Sequence, residues 1–162
     1  MNIYATCQSL DLKSTLQYNI TVRSPMDKNE VFEFISQQKT AFIASVNEQG
    51  YPIVRAMLAP RKIENNQIYF STNTSSKKIK QYLNNDKACV YFYKRGKFKY
   101  QGVCIIGEME VCTDQPTKDM IWRIGDKLFY KQGVTDPDYC VLKFKCKTAE
   151  YYCDFKTATI EL

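Results

Sequence analysis

The residues best suited to chemistry in this 162-residue chain form one short run, Ser71-Thr72-Asn73-Thr74-Ser75-Ser76, followed at once by Lys77, Lys78 and Lys80. Hydroxyls, amides and lysines at the start of a helix form a donor set for a bound anion such as phosphate. Lysines in a first helical turn oppose the helix dipole, so an anion there would offset a local cost. The same run also fits an ordinary capped surface helix with solvated lysines. Arg55 is the second candidate, a cation inside the apolar run from Tyr51 to Leu58. It belongs either to the polar face of a strand or, as a planar donor, to a phosphate or carboxylate site. Gln101, beside Gly102, either offers an amide to a heteroaromatic ring or is an exposed polar strand residue.

Absences narrow the chemistry further. The chain has no histidine, which excludes Ser-His-Asp and Cys-His catalysis, histidine-ligated zinc and histidine-ligated haem. Any reaction is then expected to be carried by a bound cofactor. The seven cysteines contain no C-x-x-C pair and fall mostly in strand-like runs, so they read as reduced structural thiols rather than metal ligands. Net charge is +6. The basic clusters at Lys77-Lys78-Ile79-Lys80, Lys94-Arg95-Gly96-Lys97 and Lys143 to Lys147 read as solvated faces, with no nucleic-acid motif behind them. No run approaches the roughly 20 apolar residues that span a bilayer. No secretion-signal pattern is evident, so a cytoplasmic location is expected.

The elements that must hold these residues follow from periodicity. Met1 to Ser24 reads as an arm, with alternating Tyr18, Ile20 and Val22 allowing one strand. Asp27 and Glu30 form a capping box for a helix from about Lys28 to Gln38, with Met26 stapling onto Val31. Ala41 to Val46 and Tyr51 to Leu58, joined by a turn ending in Gly50, read as a hairpin. Ile68 to Phe70 is a strand, and the 71–76 turn leads into a helix with Ile79 and Leu83 on its buried face. Two strands follow, Ala88 to Tyr93 and Phe98 to Val111, the second broken by Gly102 and Gly107 as at a bulge or barrel corner. Asp114 starts a helix running through Ile124 with Trp122 near its middle. Tyr139 to Lys147, a turn at Thr148-Ala149-Glu150 and a last strand from Tyr151 to Phe155 end the pattern. Too few helices separate the strands for a parallel sheet, so an antiparallel barrel with flanking helices is expected.

The succession Gly50-Tyr51-Pro52, Arg55-Ala56-Met57, Ile68 to Asn73, Ser76-Lys77-Lys78 and Leu83 to Val90 resembles the pyridoxamine 5′-phosphate oxidase-like flavoproteins, most closely their short general-stress-protein branch. Tyr100 to Val103, Gly107 to Val111 and Asp136-Pro137-Asp138-Tyr139 are similar to later family segments. The resemblance covers about Asp27 to Phe155. It implies a mainly β fold with flanking helices, an antiparallel split β-barrel over residues 26–162 that pairs as a homodimer. FMN would lie between subunits, with residues 1–25 as a separate arm or strand. Carried over by position, Arg55 and Lys78 would bind the flavin phosphate, with Ser76 and Lys77 at the helix start. The backbone of Arg55, Ala56, Met57 and Leu58 and of Ser71 and Thr72 would run along the ring, and Gln101 would contact it. The oxidase's C-terminal Trp and Arg region has no match, so pyridoxamine phosphate oxidation is not implied. The expectation is an FMN-dependent oxidoreductase acting on a small molecule, with NAD(P)H as donor. A non-catalytic flavin-binding, sensing or stress protein, or a deazaflavin-dependent reductase, is the alternative. Neither a metal, a nucleic acid nor a membrane is expected as partner.

Overall fold

The computed structural model describes residues 26–96 and 100–162. The expected arm or strand over residues 1–25, with Cys7, and the Lys97 end of the basic hairpin lie outside them.

The first helix, α1 (Lys28–Ser36), begins as its sequence requires. Asp27 accepts from the Glu30 amide at 2.9 Å and Glu30 accepts from the Asp27 amide at 2.9 Å. This reciprocal cap satisfies two donors that the first helical turn leaves open. Val31, Phe34 and Ile35 are its buried stripe, and Met26 packs against the same core. β1 (Thr40–Val46) and β2 (Pro52–Leu58) then pair antiparallel through the turn at Gly50, whose φ of 83° suits a residue without a side chain. Only the inward residues of β1, among them Ala41 and Ile43, are fully buried, so the strand shows the period of two that its sequence carries.

β3 (Lys62–Glu64) turns through Asn65 and Asn66, at φ 50° and 59°, into β4 (Gln67–Asn73). Asparagine tolerates this left-handed pair better than most residues. The expected turn at 71–76 is shorter than its composition suggests. Ser71, Thr72 and Asn73 continue β4 because they pair with Val141, Cys140 and Tyr139. α2 (Lys77–Asn84) follows, burying Lys78, Ile79 and Tyr82. Leu83, expected on the buried face, is 70% exposed. The Tyr82 hydroxyl, donating to the Ala44 carbonyl at 3.1 Å, turns the helix so that Leu83 faces outward.

β5 (Lys87–Arg95), β6 (Tyr100–Cys112) and β7 (Tyr139–Cys153) complete the scaffold, with β8 (Lys156–Glu161) added at the end. Every pairing is antiparallel, in the order β2-β1-β5-β6-β7-β4-β3 with β8 on β7. Two expectations are corrected here. Thr148-Ala149-Glu150 is not a turn, because these residues pair with both β6 and β8 inside one 15-residue strand. The chain reverses instead at Asp154 and Phe155, at φ 48° and 65°, and the tail forms a strand of its own.

β7 therefore changes neighbour along its length. Its first half borders β4 and its second half borders β8, while β6 accompanies both. The change coincides with a bulge at Ile106/Gly107. A Cβ on Gly107 would run into the Lys145 carbonyl oxygen, so glycine is what lets the ribbon bend there. This bend divides the sheet into the two parts of a split barrel. Val90, Phe92, Val103, Ile105, Leu142 and Phe144 fill its interior with no exposed surface.

α3 (Gln115–Ile121) starts on the Asp114 cap as expected. It stops earlier than its apolar spacing suggests. Trp122 leaves the helical conformation to set its ring edge-on to Tyr139, with centroids 5.0 Å apart. Ile124 accordingly opens a 3-10 turn, Ile124–Leu128, and is 84% exposed. No helix among the described residues is long and apolar enough to cross a membrane.

Gly107→Ala is expected to lower stability by about 2–4 kcal/mol, since the clash is with backbone. Gly125→Ala, where an added Cβ meets nothing within 4 Å, should stay within about 0.5 kcal/mol of wild type in the same urea titration.

Candidate functional site

β2 and β4 lie far apart in the hydrogen-bonded order, yet they face one another across a cavity of about 280 Å³. Ala56, Met57 and Leu58 from β2, Ser71 and Thr72 from β4, and Lys78 from α2 all line it. Six of the ten residues expected at the site are thus brought together. The 3-10 turn after α3 supplies the remaining wall with Asp126, Phe129 and Tyr130.

Lys78 is the chemical centre of this space. It is 6% exposed, and its ammonium donates to the Ser76 hydroxyl at 2.8 Å. None of the ion pairs among the described residues involves it. Burial pushes its pKa below the ordinary lysine value; the Cys140 thiol pulls the other way, and the Arg55 charge adds to the depression. A charge kept from water without a carboxylate is costly, and a bound anion relieves that cost.

Arg55 reaches the same region from β2. It pairs across to Ile43, which places it on the inward side of the strand, half-buried. The surface alternative for this residue is therefore excluded. Its guanidinium donates to Ser45 Oγ at 2.7 Å and to Gln81 Oε1 at 2.7 Å, and Ser45 itself donates to Gln81 at 2.7 Å. These partners are neutral, so they fix the fork while leaving its positive charge uncancelled.

Ser76 occupies the cap position of α2 but makes no side-chain cap, because its hydroxyl receives Lys78 instead. Of the first-turn amides, that of Ile79 donates to the Ser76 carbonyl at 2.9 Å, which leaves those of Lys77 and Lys78 at the helix start. The amides of the preceding turn are taken. Thr74 N donates to the Asp138 carbonyl at 2.8 Å, Ser75 N to the Asp138 carboxylate at 2.7 Å, and Ser76 N to the Asn73 carbonyl at 3.2 Å. The candidate anion site thus consists of two cations, strand hydroxyls and a helix start, rather than the whole polar turn.

Four expected residues do not line this cavity: Arg55 and Ser76 stand beside it through their links to Lys78 and α2, whereas Lys77 and Gln101 lie farther off. Lys77 is exposed and lines a separate groove on the far side of α2 with Asn47, Gln49 and Asn84. Gln101 pairs opposite Cys153 at the β8 end of β7, whereas Thr72 pairs opposite Cys140 at the other. At about 3.3 Å per residue the two positions are about 43 Å apart measured along that strand. The Gln101 amide donates there to the Tyr151 hydroxyl at 3.1 Å. One protomer therefore does not bring Gln101 and Lys78 to the same ligand.

Sequence reasoning missed Ser45, Gln81, Arg61 and Asp126. Arg61 holds Asp126 at 2.5 Å, with their side chains 15% and 5% exposed, and this pair clamps the 3-10 turn onto the cavity wall. Partners so distant in sequence leave no local pattern. The donor set fits a phosphate-bearing cofactor. Its cations lack acidic partners, and the one carboxylate on the wall, Asp126, is occupied by Arg61.

The profile of the pyridoxamine 5′-phosphate oxidase family matches residues 27–153. A solved structure from Clostridium acetobutylicum, described as related to general stress protein 26 of B. subtilis and of the pyridoxinephosphate oxidase family, is 31% identical. It superposes with a TM-score of 0.73 over 83% of this chain and 93% of that one. General stress protein 26 of Bacillus anthracis is 23% identical, with a TM-score of 0.65 over 82% and 95% of the two chains. An FAD-binding protein of Mesorhizobium loti shares the fold at 14% identity, with a TM-score of 0.62 over 76% and 92%. No curated protein matches the chain.

In the absence of ligand, Lys78→Met is expected to melt within about 1 kcal/mol of wild type or above it, since an uncompensated buried charge is removed. Thermal melts with added inorganic phosphate should then show protection of the wild type and none of the variant.

Proposed function

The chain belongs to the pyridoxamine 5′-phosphate oxidase family, and on that premise we propose that residues 26–162 form an FMN-binding domain serving a flavin-dependent oxidoreductase. The observation that supports this most directly is the buried Lys78, without an acidic partner, beside an Arg55 held only by neutral groups. Both suit the dianionic phosphate of FMN. Ala56, Met57, Leu58, Ser71 and Thr72 then offer a mixed apolar and polar lining for the ring. Bound FMN supplies hydride and single-electron transfer; the chain binds the phosphate, orients the ring and shields it from water. The substrate is a small molecule, with NAD(P)H as donor, in a cytoplasmic setting that suits the free cysteines.

The site is completed by a second copy of the chain. Leu58 and Phe129 line the cavity yet are 71% and 74% exposed, and a facing protomer would cover them. The same pairing would carry Gln101 of the other protomer to the ring, which the span along β7 denies to Gln101 of the same one. A second reading, that the protein holds its flavin without turnover, is favoured by one feature. Asp126, the one carboxylate lining the cavity among the described residues, is already paired with Arg61 and offers no free acid or base.

Titration with FMN and with riboflavin, followed by flavin absorbance and fluorescence, tests the phosphate site. Arg55→Ala and Lys78→Ala should each weaken FMN by about 1–3 kcal/mol, roughly 5- to 150-fold, and leave riboflavin nearly unchanged. Unaltered FMN affinity in both variants would remove the site. The FMN-loaded mass by light scattering should be that of a dimer, and a monomer retaining full affinity would refute the shared cleft.

A further inference from the structure

We propose that Asp138 is the positioning residue of the phosphate site: a carboxylate that strengthens anion binding by fixing the chain segment that leads into α2. The inference rests on the phosphate reading above.

Asp138 immediately precedes β7, one residue before the last ladder pair, Asn73↔Tyr139. Its backbone carbonyl accepts from Thr74 N at 2.8 Å, which carries the ladder one step past the end of β4. Its side chain then takes up the segment that follows. One carboxylate oxygen accepts from the Thr74 hydroxyl at 2.8 Å and from Ser75 N at 2.7 Å, and the other accepts from the Ser75 hydroxyl at 3.0 Å. The Ser75 hydroxyl is itself oriented by the Asn73 amide, which donates to it at 2.7 Å. Three donors on one carboxylate, plus a main-chain bond, leave residues 73–75 a single arrangement. Ser76, the next residue, carries the hydroxyl that receives Lys78 and the open start of the helix.

Electrostatics and positioning make opposite demands on this residue. A negative charge near an anion site weakens anion binding, so removing it should help if through-space repulsion dominates. Here the lone pairs of the carboxylate are directed at Thr74 and Ser75, and those donors hold its pKa below the ordinary aspartate value. The charge is met locally, while the order it imposes reaches the ligand-binding side chains. Positioning therefore outweighs repulsion.

The test is the ratio of FMN to riboflavin affinity in the full chain. Asp138→Asn, which keeps the shape but gives up one acceptor oxygen and the charge, should bind FMN about tenfold more weakly and riboflavin within about twofold of wild type. Ser75→Ala, a milder change that spares folding, should lower the same ratio, and its effect should not add to that of Asp138→Asn. Equal or tighter FMN binding by Asp138→Asn would overturn the proposal in favour of repulsion. A parallel fall in both ligands would overturn it in favour of a general structural role. Wild-type protein that does not distinguish FMN from riboflavin would remove the phosphate reading, and this inference with it, before any variant is compared.

Discussion

A lysine shut away from water, with no acid to meet it among the described residues, sets the terms for this structure. Lys78 costs free energy that the surrounding packing must supply, and Arg55 nearby raises the cost. A fold selected for stability alone would place a methionine or leucine there. Everything around the residue instead preserves its charge. Ser76 takes one ammonium hydrogen bond without neutralising it, and Ser45 and Gln81 do the same for the guanidinium. The nearest turn carboxylate is committed to Thr74 and Ser75. The outcome is a concentrated positive site, the feature on which the proposed phosphate binding rests.

The scaffold that holds this arrangement depends on a ribbon that bends. β6 and β7 run side by side through the molecule, and the bulge at Gly107 lets β7 leave β4 for β8. The curvature brings the strands near the two ends of the sheet order opposite each other, so β2 and β4 wall one cavity without sharing a ladder. Most of the buried residues are apolar. Among the described residues the buried polar ones are Thr72 and Lys78 at the seam between α2, β2 and β4, with Ser45 on β1, Lys118 on α3 and Asp126 in the 3-10 turn.

Much of this was legible in the sequence wherever the signal was local. The Asp27–Glu30 cap, the Gly50 hairpin, the glycine at the bulge and the strand leading into a basic helix each have a composition that admits few other structures. The position of Arg55 was open between two faces, and only its pairing with Ile43 settled it. The errors share one cause, tertiary contact overriding local preference. Ser71 to Asn73 look like a turn but are claimed by β7. Thr148 to Glu150 look like a turn but have neighbours on both sides. Trp122 has helical spacing yet leaves the helix for Tyr139. Gln81 and Asp126 carry no mark at all, since their partners are Arg55, 26 residues away, and Arg61, 65 residues away.

The absence of a shared ladder between β2 and β4 has a consequence for how such a molecule can change. Two walls joined by hydrogen bonds would be locked at one strand spacing. These walls are set by the sweep of the intervening strands and by a side-chain link from Arg55 to Gln81 on α2, so the gap acts like the jaws of a caliper whose screw lies largely elsewhere. A small alteration in curvature along β6 or β7 would widen or narrow the opening by more than the alteration itself. Breadth of ligand choice can then shift through residues that never touch a ligand, while the charged seam proposed for the phosphate keeps its place.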